Sequence, residues 1–252
     1  MDLQLKGKTA LISGSSKGIG LSIATSLYNE GCNIVINSRH VSTLRAASKK
    51  IGSDVGYFVA DVTKNSECKK LVEHTVKTFG DIDILICNVG DGSSPKPGNE
   101  QINDWEKMLD MNLNSTINLV SASEKYLRRT SGSIVCISSI AGIELTDAPI
   151  PYSIAKSALN SYVKNISKPF AKSGIRINAI APGNILFKGS VWEKKLAKNK
   201  KRVLDMISTK VAMNRFGNPD EISNAVTFLA SPLSSFTTGN ILVIDGGQTK
   251  SH

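Results

Sequence analysis

Seven short runs rich in β-branched and apolar residues recur along this chain, and longer amphipathic stretches such as 65–79 and 101–129 lie between them. The runs are TALISG at 9–14, NIVINS at 33–38, VGYFVA at 55–60, IDILICN at 82–88, GSIVCIS at 132–138, IRINAIA at 175–181 and ILVID at 241–245. Strands that alternate with helices pair in parallel through crossovers, which put helices on both faces of the sheet. The pattern therefore predicts an α/β fold, a Rossmann-type doubly wound parallel sheet of about seven strands. ILICNVG and IVCISS are almost wholly apolar up to their last residues, as central strands covered on both sides should be. No repeat, low-complexity tract or linker divides the sequence. Residues 1–252 read as one domain, long enough to bury a large core.

Two segments escape the alternation: the loop DGSSPKPGN at 91–99, and 182–215, which runs from APGN through a lysine-rich helix to NRFGNPDE. Each follows a strand, and ligands of open parallel sheets bind beyond the strands' carboxyl ends. Both are expected to overhang a binding crevice, with about 184–215 as a substrate lid.

A formal net charge of +10 admits anionic partners. No helix-turn-helix, zinc-finger spacing or aromatic RNA-binding signature accompanies it, so no nucleic-acid partner is expected. The densest basic stretch, WEKKLAKNKKR, holds Lys194, Lys195, Lys198, Lys200, Lys201 and Arg202. It reads as a solvated helix face or as a contact for an anionic substrate or carrier. No apolar run approaches the roughly 18 residues of a membrane span, and MDLQLKGKTA carries no signal-peptide core. Cys32, Cys68, Cys87 and Cys136 lack CxxC spacing and are expected to be reduced thiols in a cytoplasm. His40, His74 and His252 are scattered, so no metal is expected.

The first run ends in ISGSSKGIG, residues 12–20, followed by a helical pattern that stops at Gly31. Gly14, Gly18 and Gly20 let the backbone turn sharply and come close to a pyrophosphate, while the helix start offers free N–H donors. The spacing is G-x-x-x-G-x-G, which alone also suits a plain glycine turn.

Further motifs follow in order: DVT at 61–63, CNVG at 87–90, MNLN at 111–114, ISSIAG at 137–142, YSIAK at 152–156, APG at 181–183, and a tail from GNPDE to IDGG. Together with SGSSKGIG, in which Ser13 replaces a threonine, they resemble the short-chain dehydrogenase/reductase family over essentially the whole chain. Overall the chain resembles its 3-oxoacyl-carrier-protein reductase-like branch. The resemblance implies a nicotinamide dinucleotide against Gly14, Ser16, Lys17, Gly18, Ile19 and Gly20. It continues along Ser38, Arg39, Asp61, Val62, Asn88, Val89 and Gly90, then reaches Tyr152, Lys156, Pro182, Gly183 and Ile185. Asn88 has a second reading as a residue that ties strands together. A carboxylate after the second strand would repel a 2′-phosphate, and this chain has Asn37-Ser38-Arg39 there. Arg39 can fork onto that phosphate, with Lys17 as a second cation. The expected cofactor is NADP(H).

Tyr152 and Lys156 are spaced i, i+4, so both project from one helix face. An adjacent ammonium should draw the phenol pKa down from about 10 toward neutrality. The family mechanism implies Tyr152 as acid/base, Lys156 holding the nicotinamide ribose, Ser139 donating to the substrate oxygen with Ser138 as its rival, and Asn112 completing a proton relay at a backbone kink. Where the family often has a phosphate-contacting threonine this chain has Phe187, and Lys188 or Ser190 is the expected substitute.

Glu144 and Asp147 are candidates to recognise substrate hydroxyls or an amine, or are surface carboxylates. Val191, Trp192 and Leu196 would pack the lid shut. A sugar-like or other polar anionic carbonyl or alcohol fits these walls, with a carrier-linked 3-oxoacyl group as the alternative. A non-catalytic NADP-sensing protein is a third reading, which the intact Ser139, Tyr152 and Lys156 set disfavours. Pro169 predicts a kink or break near residues 165–169. The resemblance implies a homo-oligomer, a tetramer or a dimer.

Overall fold

A computed structural model describes residues 2–95 and 97–250. Seven strands form one parallel sheet: β1 (Thr9–Ile12), β2 (Asn33–Ser38), β3 (Gly56–Val59), β4 (Ile84–Cys87), β5 (Ser133–Ile137), β6 (Arg176–Pro182) and β7 (Ile241–Ile244). Their order across the sheet is β3-β2-β1-β4-β5-β6-β7. All seven lie inside the expected runs or within a residue of them, and β4 and β5 are buried throughout.

Because side chains alternate across a strand, each strand feeds two cores. Ala10, Ile12, Ile34, Ile36, Ile84 and Ile86 pack with Ile23 and Leu27 of α1 (Gly18–Asn29), Leu44 of α2 (Val41–Ile51) and Ile222 and Val226 of α9 (Pro219–Ala230). Leu11, Val35, Leu85, Ile134 and Cys136 pack instead with Leu71 of α3 (Asn65–Phe79), Leu119 of α5 (Ser115–Thr130) and Leu159 of α6 (Ile150–Ala171). The sheet is doubly wound, as the alternation requires.

Helix ends follow local chemistry. α1 terminates against Gly31, whose φ of +82° suits a residue without Cβ. α9 begins with a full capping box: the Asn218 side chain accepts from the amides of Asp220 and Glu221, and Glu221 accepts from the Asn218 amide.

The stretch 101–129 does not form one regular helix. It comprises α4 (Ile102–Leu109), a π-helical turn over Asp110–Asn114, and α5. This is the backbone irregularity expected at Asn112. Of the kink or break expected near residues 165–169, the break does not occur: α6 runs continuously to Ala171, and Pro169 falls in its final turn, where only one helical hydrogen bond is lost. The lysine-rich segment is two helices, α7 (Val191–Lys198) and α8 (Lys200–Lys210), divided at Asn199, which caps α8. All six of its cations from Lys194 to Arg202 are exposed.

Candidate active site

Strand order reverses between β1 and β4, and a cleft of about 490 Å³ opens beyond their carboxyl ends. Lining it are Gly14, Ser16, Lys17, Ile19 and Gly20 after β1, Ser38 and Arg39 after β2, and Asp61 and Val62 after β3. Asn88, Val89, Gly90, Ser139, Tyr152, Lys156, Pro182, Gly183 and Ile185 complete the expected set. Gly18 lies beneath the Phe187 ring, and Asn112 is fully buried behind the cleft.

The glycine turn is built for close approach. Gly14 and Gly18 have φ of +61° and +58°, in the left-handed region. A Cβ on Gly20 would fall 2.6 Å from the Gly14 carbonyl and 2.5 Å from Asn88 Nδ2, so only glycine lets α1 start against the strand ends. No side chain caps α1 and its first turn holds no acidic residue, leaving the positive end of the helix for an anion.

Three polar residues hold this turn. The Ser13 hydroxyl donates to the Ile86 carbonyl and accepts from the Asn88 amide, at 3.2 and 3.0 Å. Asn88 Nδ2 donates to the carbonyls of Ser13 and Gly14 at 3.2 and 2.9 Å, so Asn88 does tie strands together. Asn37 was noted in the sequence only for lacking charge, yet its buried Nδ2 donates to the carbonyls of Phe58 and Ala60, and its amide to Ser15 Oγ. Asp61 Oδ1 accepts from the Thr63 amide and hydroxyl. Arg39 is exposed at the rim, and positions 37–39 carry no carboxylate.

At the other end of the cleft, α6 presents Tyr152 and Lys156 one turn apart. Lys156 is 3% exposed and its Nζ donates to the Ile137 carbonyl at 2.8 Å. Burial pushes its ammonium down to about 8. Burial also pushes the Tyr152 phenol upward, Asp91 adds to the rise, and a hydrogen bond with Ser139 opposes it. The expected depression of the phenol is thus not what the protein alone shows: desolvation disfavours both charged forms, and at Tyr152 it outweighs the hydrogen bond with Ser139.

Ser138 and Ser139 both border the cleft, but their hydroxyls are engaged differently. Ser138 donates to Asn160 Oδ1 at 2.6 Å, whereas Ser139 accepts from the Ala141 amide and lies within bonding reach of the tyrosine hydroxyl. Asn112 Oδ1 accepts from the Asp91 amide at 3.1 Å, and its Nδ2 donates to the carbonyls of Asp91 and Met108. A Cβ on Gly90 would lie 2.8 Å from Asn112 Oδ1 and 3.1 Å from Lys156 Nζ, so both side chains converge on that glycine.

The substrate end adds Asp91, Gly92, Met111, Val191 and Trp192. Asp91 and Gly92 come from the 91–99 loop expected to overhang the crevice, whereas Met111, the first residue of MNLN, was missed because nothing but its neighbours in space marks it. Glu144 and Asp147 do not line the cleft: Glu144 accepts from the Lys250 amide, and Asp147 pairs with Lys210 at the end of α8. Ser190 lines the cleft, but its hydroxyl caps α7 by accepting from the Glu193 amide. Lys188 is not among the lining residues. Residue 96 of the 91–99 loop lies outside the described residues. Among the described residues no side-chain cluster could hold a metal, and no helix is long and apolar enough to cross a membrane.

The family model described as enoyl-(acyl carrier protein) reductase matches residues 14–249. Glucose 1-dehydrogenase 2 of Bacillus subtilis is 32% identical to the chain over 97% of it and 96% of the relative. The chain belongs to the short-chain dehydrogenase/reductase family. As a short-chain dehydrogenase/reductase it is an oxidoreductase of CH–OH and C=O groups that uses a nicotinamide cofactor. Another similar member is the 3-oxoacyl-(acyl-carrier-protein) reductase of Thermotoga maritima, 30% identical over 97% of this chain and 99% of that one. The crystal structure of L-sorbose reductase from Gluconobacter frateurii with NADPH and L-sorbose superposes with a TM-score of 0.93, full coverage of both chains and 29% identity.

Proposed function

We propose that this protein moves a hydride between NADP(H) and a small, polar, hydroxylated carbonyl or alcohol, with Tyr152 exchanging the accompanying proton. The observation that carries the reading is the meeting of Ser139, Tyr152 and Lys156 with the glycine turn and Arg39 in one cleft. The residues fit the cofactor: a cradle that any Cβ at Gly20 would fill, an uncapped helix start, and the cations Lys17 and Arg39 with no carboxylate at positions 37–39.

The bound nicotinamide supplies or accepts the hydride. Gly14, Ser16, Gly18, Ile19 and Gly20 would hold the phosphates, Arg39, Ser38 and Lys17 the 2′-phosphate, and Asp61 and Val62 the adenine. Asn88, Val89 and Gly90 would pack beside the ribose, and Pro182, Gly183 and Ile185 would border the nicotinamide. Ser139 donates to the substrate oxygen and Tyr152 gives it a proton in reduction, or takes one in oxidation. Lys156, charged below pH about 8, stabilises the resulting phenolate. Asn112 and Lys156 flank Gly90, which supports assigning them the route for proton exchange away from Tyr152.

The sorbose complex of a similar structure supports a polyhydroxy ketone, and we read 184–215 as the lid of the substrate end, a reading supported by Ile185, Phe187, Ser190, Val191 and Trp192 in the cleft wall. A second reading, reduction of a carrier-linked 3-oxoacyl group, is supported by the Thermotoga relative and by the exposed lid cations. The buried free cysteines suit the reducing cytoplasm in which we place the protein, as a homo-oligomer of two or four copies. NADPH consumption measured with a panel of sugar ketones and a 3-oxoacyl thioester tests the proposal. Faster turnover of a sugar ketone supports it, preference for the thioester favours the second reading, and no turnover of either contradicts both.

A further inference from the structure

Phe187 lines the cleft and stands against the phosphate turn. A Cβ built on Gly18 would fall 2.4, 2.7 and 2.9 Å from its ring atoms Cε2, Cζ and Cδ2, so the ring lies directly on the bare backbone at the start of α1. The main chain on either side is pinned. The Leu186 amide donates to the Gly217 carbonyl at 2.9 Å, and Ile185 forms a parallel bridge with Gly217. The Ser190 amide donates to the Phe187 carbonyl at 3.0 Å, and Ser190 in turn caps α7. With the backbone held at both ends, the freedom left at this position is rotation of the side chain.

A phenyl ring offers a phosphate no hydrogen bond. What it does at the mouth of a helix is exclude water, and N–H groups attract an anion more strongly where the dielectric is low. We propose that Phe187 is a retaining clamp for the dinucleotide: its ring closes over the turn at Gly18, and the cofactor leaves only after the ring rotates away. The clamp acts on the pyrophosphate, which the two cofactors share, and therefore slows the release of NADPH and NADH alike. The inference rests on the reading of this cleft as the NADP(H) site. Phe187 is a positioning residue, since it assists binding and takes no part in proton transfer.

Stopped-flow displacement of NADPH, followed by nicotinamide fluorescence, tests it in wild type, Phe187→Ala, Phe187→Leu and Phe187→Thr. Removing the ring should raise the dissociation rate about tenfold or more with little change in association, because such contacts act on release. Leucine, still an apolar cover, should stay within about threefold of wild type by the same argument, and the NADPH-to-NADH affinity ratio should not move in any variant. Thermal melting identifies a variant that fails to fold, and the remaining two then decide. Unchanged release from folded Ala or Thr variants overturns the clamp, as does slower release from the Thr variant, which would show a hydroxyl to be the better phosphate partner. Failure of wild type to bind NADPH would refute the cofactor reading itself, a different result from any of these.

Discussion

Lys156 Nζ lies 5.8 Å from the centroid of the Tyr152 ring, and its 2.8 Å hydrogen bond goes to the carbonyl of Ile137 at the end of β5. The cation is thereby tied to the sheet, and the tyrosine meets it through the geometry of α6. Lys156 is buried and Tyr152 half-buried, and desolvation makes both costly to charge in the protein alone.

That cost has a pH signature. The folded pKa of Lys156, about 8, is below its unfolded value of 10.5. Protonation therefore favours the unfolded chain: the penalty is full below pH 8, fades between 8 and 10.5, and is absent above. Relative to wild type, Lys156→Met should shift the cofactor-free melting temperature more favourably at pH 6.5 than at pH 10. The lost bond to Ile137 subtracts a similar amount at both. Differential scanning calorimetry at the two pH values checks the difference, and equal shifts would mean the lysine is not desolvated.

Arg39 is assigned to the 2′-phosphate on charge and place alone. Replacing it with alanine should weaken NADPH binding at least tenfold, the worth of a charge-assisted hydrogen bond of about 1.5–3 kcal/mol, while NADH binding changes little. Fluorescence titration with both cofactors gives the ratio.

The glycine turn makes a steric prediction. In Gly20→Ala the new methyl would sit 2.6 Å from the Gly14 carbonyl, a backbone atom fixed between β1 and α1. The fold should lose about 1–3 kcal/mol, as overpacking does, and NADPH affinity should fall with it. Urea unfolding and titration of the same variant measure both.

α9 packs along α1, with Ser22 donating to Asp220 and Ser26 bonded to Thr227. Its start depends on Asn218. Asn218→Ala should cost about 1 kcal/mol, the usual worth of an N-cap, read as a lower urea midpoint with an unchanged slope.

The strands and the doubly wound sheet were legible because alternation and apolar runs are local properties. Buried β4 and β5 announced themselves, and YSIAK placed Tyr152 and Lys156 on one helix face. Side chains whose work depends on distant partners were not legible. Asn37 holds the first turn to β3, Glu144 meets the tail at Lys250, and Asp147 meets Lys210, each across a long stretch of sequence. Pro169 does not break α6 because it falls in the last turn, where little helix follows it. The phenol's direction of shift was misjudged because the sequence shows the neighbouring charge but not the burial that opposes it.

The account rests on the Tyr152 hydroxyl as the proton-exchanging group, and Tyr152→Phe removes that oxygen while leaving the ring. We expect NADPH titration of the variant to match wild type while turnover of the best carbonyl substrate falls by about 10²-fold or more, the scale of general acid–base catalysis. Turnover within a few-fold of wild type would contradict the account.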